Sequence, residues 1–193
     1  MLLERFLSET RAAVVNKLIP GSHRKGRILD MGCGKYPYFL INTEFAEKYG
    51  IDRLVDEDAV RKEGEKIFIS KSDIHGGCLS VFKDGYFDVV TMLAVFEHLE
   101  PRDLPRVMNE VGRVLKVNGL FIMTTPAPFG DKILRVLSAL GFVDPKMIGE
   151  HKDTYDFNKI SSILTKSGFE KEGMRAGRFE LCLNIWVTAS KKK

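Results

Sequence analysis

The stretch that decides the fold is Arg27-Ile28-Leu29-Asp30-Met31-Gly32-Cys33-Gly34. Its first half reads as a short strand buried on both faces and broken by one acid, and its second half as a glycine turn. Glycine accepts positive φ and lets backbone approach a ligand closely, so this corner is either a ligand cradle or a bare strand-to-helix turn. A helix beginning around Tyr38 follows in this reading, with unpaired N–H groups at its start.

Outward from this corner, short apolar runs alternate with amphipathic stretches, the pattern of a mostly parallel sheet with helices on both faces. Seven strands are predicted, near Arg27 to Met31, Tyr49 to Asp52, Lys66 to Ser70, Phe87 to Met92, Leu120 to Thr124, Phe169 to Arg175 and Leu181 to Ala189. Leu104, Val107, Met108, Val111, Val114 and Leu115 form the apolar stripe of a helix that stops before Asn118-Gly119. A second stripe, Phe157, Ile160, Ile163 and Leu164, starts after a cap at Asp156 and ends at Gly168. The last run alternates apolar and polar residues and follows its predecessor after a short turn, which predicts an antiparallel hairpin. Residues 1–20 read as an N-terminal amphipathic helix ending at Pro20-Gly21. The expected fold class is therefore α/β, a doubly wound seven-stranded sheet, mostly parallel with a C-terminal antiparallel hairpin strand, in a single domain over residues 1–193.

A chain of 193 residues with 44% hydrophobic and 29% charged residues suits one soluble domain. The net charge of +4 includes the run Lys191 to Lys193 and gathers on no visible face, so nucleic acid is a less favoured partner than a small molecule. Three cysteines, Cys33, Cys78 and Cys182, lack metal-ligand spacing, and neither a disulfide framework nor a metal site is expected. No secretory signal and no membrane-spanning apolar run is seen, so the expected location is cytoplasmic, without a membrane partner. Nothing in the pattern specifies an oligomeric state.

Asp52 follows Gly32 by roughly 20 residues, the interval at which dinucleotide-type folds place an acid on ribose hydroxyls. It is either that acid or a surface residue closing the second strand. Pro37 stands where G-x-G-x-x-G needs its third glycine, which counts against a nicotinamide-dependent oxidoreductase.

Four segments taken together are specific: Asp30-Met31-Gly32-Cys33-Gly34, Tyr49-Gly50-Ile51-Asp52, Ser72-Asp73-Ile74, and Phe87 to Met92 followed by Val95-Phe96-Glu97-His98-Leu99. They resemble the class I S-adenosylmethionine-dependent methyltransferases, in the small-molecule, type 11-like branch. Glu110 to Gly119 is similar to the helix and turn that lead into the family's fifth strand. The resemblance is clear over residues 27–125 and looser beyond them. It implies a Rossmann-like sheet, S-adenosyl-L-methionine as cofactor with S-adenosyl-L-homocysteine as product, and methyl transfer to a small-molecule acceptor by in-line displacement. It also implies that backbone at Gly32, Cys33 and Gly34 lies beside the methionine part, and that Asp30 braces this loop and faces the amino group. Asp52 would accept from the ribose hydroxyls and Asp73 from the adenine amino group, Ile74 would supply an N–H and apolar cover, and Leu93 with Ala94 would line the methionine end. Tyr36 departs from the family, which often has a third glycine there; its ring either covers the sulfonium or is an exposed loop aromatic.

A sulfonium methyl is already activated, so such an enzyme must chiefly align its reactants, and a base helps only when the acceptor has a proton to lose. His98, after the fourth strand, and His151, before the cap at Asp156, are the catalytic candidates; each has the alternative of a structural hydrogen bond. His23 and His75 read as surface loop residues. The segment 126–155 is longer than a link needs and is read as a cap over the acceptor, with Phe129, Phe142 and Met147 as wall residues, or as a plain packing helix. Thr91-Met92-Leu93-Ala94 lacks the Asn/Asp-Pro-Pro-aromatic step of enzymes that methylate base amino groups, and no Pro-Cys pair serves cytosine C5 chemistry. The alternatives carried forward are a catalytically silent binding module that keeps the cofactor pocket, an RNA or protein methyltransferase, and a nicotinamide-dependent oxidoreductase.

Overall fold

Six of the seven predicted runs become strands, with some ends shifted, in the computed structural model, which describes residues 2–58, 67–74, 77–130 and 152–191. In chain order the elements are α1 (Leu2–Leu18), β1 (Arg27–Met31), α2 (Tyr38–Ile41), β2 (Glu47–Ile51), β3 (Ile67–Ser70), β4 (Phe87–Leu93), α3 (Leu104–Val114), β5 (Leu115–Pro126), α4 (Phe157–Lys166), β6 (Arg175–Phe179) and β7 (Asn184–Ser190). The strands form one sheet in the order β3-β2-β1-β4-β5-β7-β6. The first five are parallel to one another. β7 inserts antiparallel between β5 and β6, which is the predicted hairpin. The winding reverses between β1 and β4, and a crevice at the carboxyl ends of the strands is where such sheets bind ligands.

Alternation along the central strands divides the core in two. Ile28, Val89 and Ile122 face one side, against Ala12, Val15 and Ile19 of α1 and Phe39 and Leu40 of α2. Their chain neighbours Leu29, Val90 and Phe121 face the other, against Val107, Met108 and Val111 of α3 and Ile160 and Leu164 of α4. Adjacent strand residues point oppositely, so a sheet covered on both sides needs unbroken apolar runs, and this is what β1 and β4 supply. Each such fully buried side chain stabilises by about 1.5–3 kcal/mol relative to exposure.

The helices begin where local chemistry places them. The Asp156 carboxylate accepts from Lys159 N at 2.8 Å and caps α4. α3 has Pro105 in its first turn, where a missing N–H costs nothing. Arg113 near its end donates to the Phe82 and Leu79 carbonyls and pairs with Asp84, which ties the segment before β4 to the helix.

Several boundaries differ from the sequence reading. Leu115, counted with the helical stripe, instead opens β5 and pairs with Phe87; the irregular step that follows has Asn118 at φ 62°. The sixth strand runs over Arg175–Phe179 rather than from Phe169. Phe169 is 2% exposed and anchored against Phe121, it makes only an isolated bridge to Lys191, and a turn from Lys171 to Met174 separates it from the strand. The seventh begins at Asn184, because Glu180, Leu181 and Cys182 all take positive φ and form the turn. Its clean alternation is not realised as one wet and one dry face, since Asn184, Ile185, Val187, Thr188 and Ala189 are all buried between two neighbouring strands. His75, His151, Phe142, Met147, the terminal Lys192 and Lys193, and the central part of the 126–155 cap lie outside the described residues.

Candidate active site

The glycine corner is built by hydrogen bonds between β1 and β2. Gly32 N and Cys33 N both donate to Ile51 O, at 2.7 and 3.3 Å, and Gly34 N donates to Asp52 Oδ2 at 2.9 Å. The amides of the corner are thus consumed within the protein. The cradle therefore works by closeness of backbone, not by free N–H donors. α2 spans only Tyr38–Ile41, too short to serve as a helix-terminus anion site, and its first amide, Tyr38 N, donates to Tyr36 O at 2.8 Å. Such a corner suits a ligand without a pyrophosphate.

Glycine is required at the first position for two reasons. Gly32 has φ 77°, and a Cβ there would stand 2.2 Å from Val95 Cγ2, so the loop after β4 closes directly onto it. Gly34 shares the backbone demand, at φ 78°, but a Cβ there would meet nothing closer than 3.8 Å.

Asp52, just past β2, is fixed at both oxygens: Oδ2 accepts from Gly34 N, and Oδ1 accepts from Leu54 N at 2.7 Å. A carboxylate offers about four lone-pair positions, so two remain for hydroxyl donors. Asp30 lies behind the loop, 2% exposed, with Thr91 Oγ1 donating to its Oδ1 at 2.6 Å. Burial raises the Asp30 carboxyl to about 7, with Asp52 pushing the same way and Thr91 and Arg11 opposing. Burial likewise pushes the Cys33 thiol up, so it is inert filler beneath the loop.

A cavity of about 580 Å³ opens at this edge, a volume ordinary for a small-molecule site. Gly32 and Gly34 line it, with Asp52, Leu54, Asp73, Ile74, Ala94, Val95, His98 and Lys152. The residues drawn from the glycine loop, the second strand's end, the third strand's end and the region after β4 thus meet in one hollow. Ile74 also borders an adjoining, mainly apolar recess of about 260 Å³ with Cys78, Leu79 and Val107. Of the pair after β4, Ala94 lines the cavity at φ 56°, its N–H donating to Thr124 O and Oγ1. Leu93 instead packs on the α1-side core. Tyr36 is 45% exposed and does not line the cavity.

His98 sits in a single 3₁₀ turn, Phe96–His98, anchored by Phe96, which is fully buried edge-on to Tyr155 at 4.9 Å. Lys152 N donates to Glu97 O at 2.8 Å, so the chain at Lys152 docks on this turn and comes to the mouth. Sequence reasoning missed Leu54, Val95 and Lys152. The first two carried a readable signal, since Leu54 lies just past the motif that ends at Asp52 and Val95 opens the segment quoted after the fourth strand; Lys152 carried none, because only the docking places it there.

These residues fit S-adenosylmethionine: a backbone cradle that a side chain would fill, a fixed carboxylate with spare acceptor capacity, and an apolar recess beyond a second acid. The fold and site together define a class I methyltransferase architecture. Residues 3–172 match the family model described as a methyltransferase domain, and the chain belongs to that family, with S-adenosylmethionine as its cofactor. No curated protein matches the sequence. Among solved structures, an S-adenosylmethionine-dependent methyltransferase from Archaeoglobus fulgidus is similar at 20% identity and TM-score 0.70, over 95% of this chain and 94% of that one. A Thermotoga maritima methyltransferase, described as a possible histamine N-methyltransferase, is similar at 18% identity and TM-score 0.73, over 99% and 92%. Phosphoethanolamine N-methyltransferase 2 of Haemonchus contortus, bound to phosphomonomethylethanolamine and S-adenosylhomocysteine, is similar at 15% identity and TM-score 0.70, over 96% of this chain and 53% of that one. Among the described residues no group of metal-ligating side chains occurs, and no helix is long and apolar enough to cross a membrane.

Proposed function

We propose that this protein transfers a methyl group from S-adenosylmethionine to a small-molecule acceptor by in-line displacement. The observation that carries this reading is the convergence of the glycine cradle, Asp52, Asp73 and His98 on one cavity. When bound, the cofactor supplies an activated methyl group on a sulfonium, so no metal and no covalent intermediate on the protein is called for.

The chain's own residues hold and orient. Asp52 takes the ribose hydroxyls with the lone pairs that Gly34 and Leu54 leave open. Asp73 takes the adenine amino group, and Ile74 covers the ring at the border of the apolar recess. Asp30 braces the corner and meets the cationic amino group, whose charge favours its ionised form. His98, at the same cavity, is placed to take a proton from the acceptor. The Thermotoga and Haemonchus proteins, described by small amine compounds, support an acceptor of small size.

Calorimetry with S-adenosylmethionine and S-adenosylhomocysteine tests the cofactor half, and mass spectrometry of reactions with a panel of small acceptors tests the transfer half. Binding of both nucleosides with a +14 Da product is the expected result. Affinity for NAD(H) in place of either would replace the reading with an oxidoreductase, and tight binding without turnover on any acceptor would replace it with a binding module.

A further inference from the structure

The cofactor roles proposed above do not use the whole cavity. The glycine corner stands past β1, Asp52 past β2 and Asp73 past β3, so the order β3-β2-β1-β4-β5 gathers these groups on one side of the switch point. The lining that follows β4 has no such role: Val95, His98, Leu99 and Glu100, joined by Lys152 from the far end of the chain. Within this acceptor half, Glu100 and Lys152 are the acid and the ammonium that accompany His98. Arg53, the other basic residue at the cavity, stands beside Asp52 in the cofactor half.

The backbone bond from Lys152 N to Glu97 O starts the Lys152 side chain from the same turn that presents His98. Its ammonium lies 3.4 Å from Glu100 Oε1, with the two side chains 47% and 41% exposed. Ion pairs elsewhere in the molecule are close: Arg27–Glu47 and Arg113–Asp84 at 2.8 Å, and Lys116–Asp88 at 2.7 Å. Those are charge-assisted hydrogen bonds, and the Lys152–Glu100 contact is longer than such a bond. A pair so long and so exposed adds little to folding, and exchanging one partner for a ligand costs little. An ammonium is a point charge with three donors and no acceptor, which suits an anionic oxygen. The sulfonium of the bound cofactor adds positive charge to the same cavity, which favours an anionic acceptor over a cationic one.

We infer that Lys152 determines acceptor specificity and selects a small acid, whose carboxylate or phosphate accepts from Lys152 Nζ while its reacting group lies toward His98. Glu100 keeps the ammonium at the mouth and yields it to the acid, then turns its own half-exposed carboxylate to water. The inference rests on the methyltransferase reading and narrows it to a substrate class.

The test uses the full chain loaded with S-adenosylhomocysteine and the probes butanoate, propyl phosphate, butanamide and butylamine, with affinities read by ligand-observed NMR titration. Butanoate and butanamide share a shape and differ in charge, and butanoate is expected to bind the wild type about fivefold more tightly. The tighter of butanoate and propyl phosphate tells a carboxylate acceptor from a phosphate one. Lys152→Gln should bring the butanoate-to-butanamide ratio to about one while keeping S-adenosylhomocysteine affinity. Glu100→Gln removes the competitor for the ammonium and should raise the ratio about twofold, whereas a merely structural pair would leave the ratio unmoved in both variants. A preference for butylamine, equal binding of butanoate and butanamide to the wild type, or a butanoate preference that survives Lys152→Gln overturns this proposal alone. A chain that binds no S-adenosylhomocysteine overturns the methyltransferase reading and this proposal with it.

Discussion

At the scale of single residues, the two glycines of the corner separate conformational demand from steric demand. Gly34→Ala meets only the left-handed backbone and should cost about 1–2 kcal/mol of stability while keeping cofactor affinity measurable. Gly32→Ala adds a collision with Val95 and should lose both stability and S-adenosylhomocysteine binding. Thermal melts and calorimetry on the pair check this, and equal losses would mean that Val95 yields freely. Asp52→Ala removes the acceptor for the ribose and for the amides of Gly34 and Leu54, and should weaken S-adenosylhomocysteine binding by about tenfold to a hundredfold.

Asp30 carries the pH dependence. Its folded value of about 7 lies above the unfolded carboxylate value of about 4. Between those values the folded chain holds a proton that the unfolded chain has released. Stability of the ligand-free protein should therefore fall as pH rises from about 4 to about 7 and level off above that. Glu180, raised by burial, tilts in the same direction. Affinity for the cationic amino group runs the opposite way, rising with pH through the same window as Asp30 ionises. Asp30→Asn should reduce both slopes, in denaturant titrations and in calorimetry across pH 5 to 8; a variant that keeps the wild-type slopes would assign them to another group.

At the scale of elements, helix starts and strand turns are separable contributions. Asp156→Ala removes the cap on α4 and should cost about 1 kcal/mol, read as a lower melting temperature with unchanged cofactor affinity. Leu181→Gly relieves one left-handed residue of the β6–β7 turn whose side chain packs on nothing, and should stabilise by up to about 1 kcal/mol. Both changes act on local backbone preference, and chemical denaturation should show an unchanged m-value. The element boundaries that sequence reading misjudged are those where tertiary anchoring outweighs local pattern. Phe169 has every local attribute of a strand residue, yet its ring is drawn into the core against Phe121, and the ladder starts later at Arg175.

At the scale of the molecule, the switch point between β1 and β4 determines where every functional group meets. Asp52 is past β2, Asp73 past β3 and His98 past β4, and parallel strands bring those ends to one edge although the residues are far apart in sequence. Ligand linkage gives a test at this scale. S-adenosylmethionine at about a hundred times its Kd should add about 2.7 kcal/mol to global stability, and the gain should shrink in Asp52→Ala at the same concentration.

Sequence by itself determined the layered α/β architecture, the hairpin at its end and the glycine corner after the first strand, since each rests on local periodicity or on a motif of neighbouring residues. Leu29, Asp30 and Gly32 are legible because a buried strand entering a tight turn leaves few choices of residue. Only the tertiary structure decided that the corner's amides are spent internally, that Val95 closes on Gly32, and that Lys152 and His98 share a mouth. It alone brought Lys152 to within 3.4 Å of Glu100. Those relations depend on how separate segments pack, and packing energy between residues distant in the chain leaves no periodic trace in the order of the amino acids.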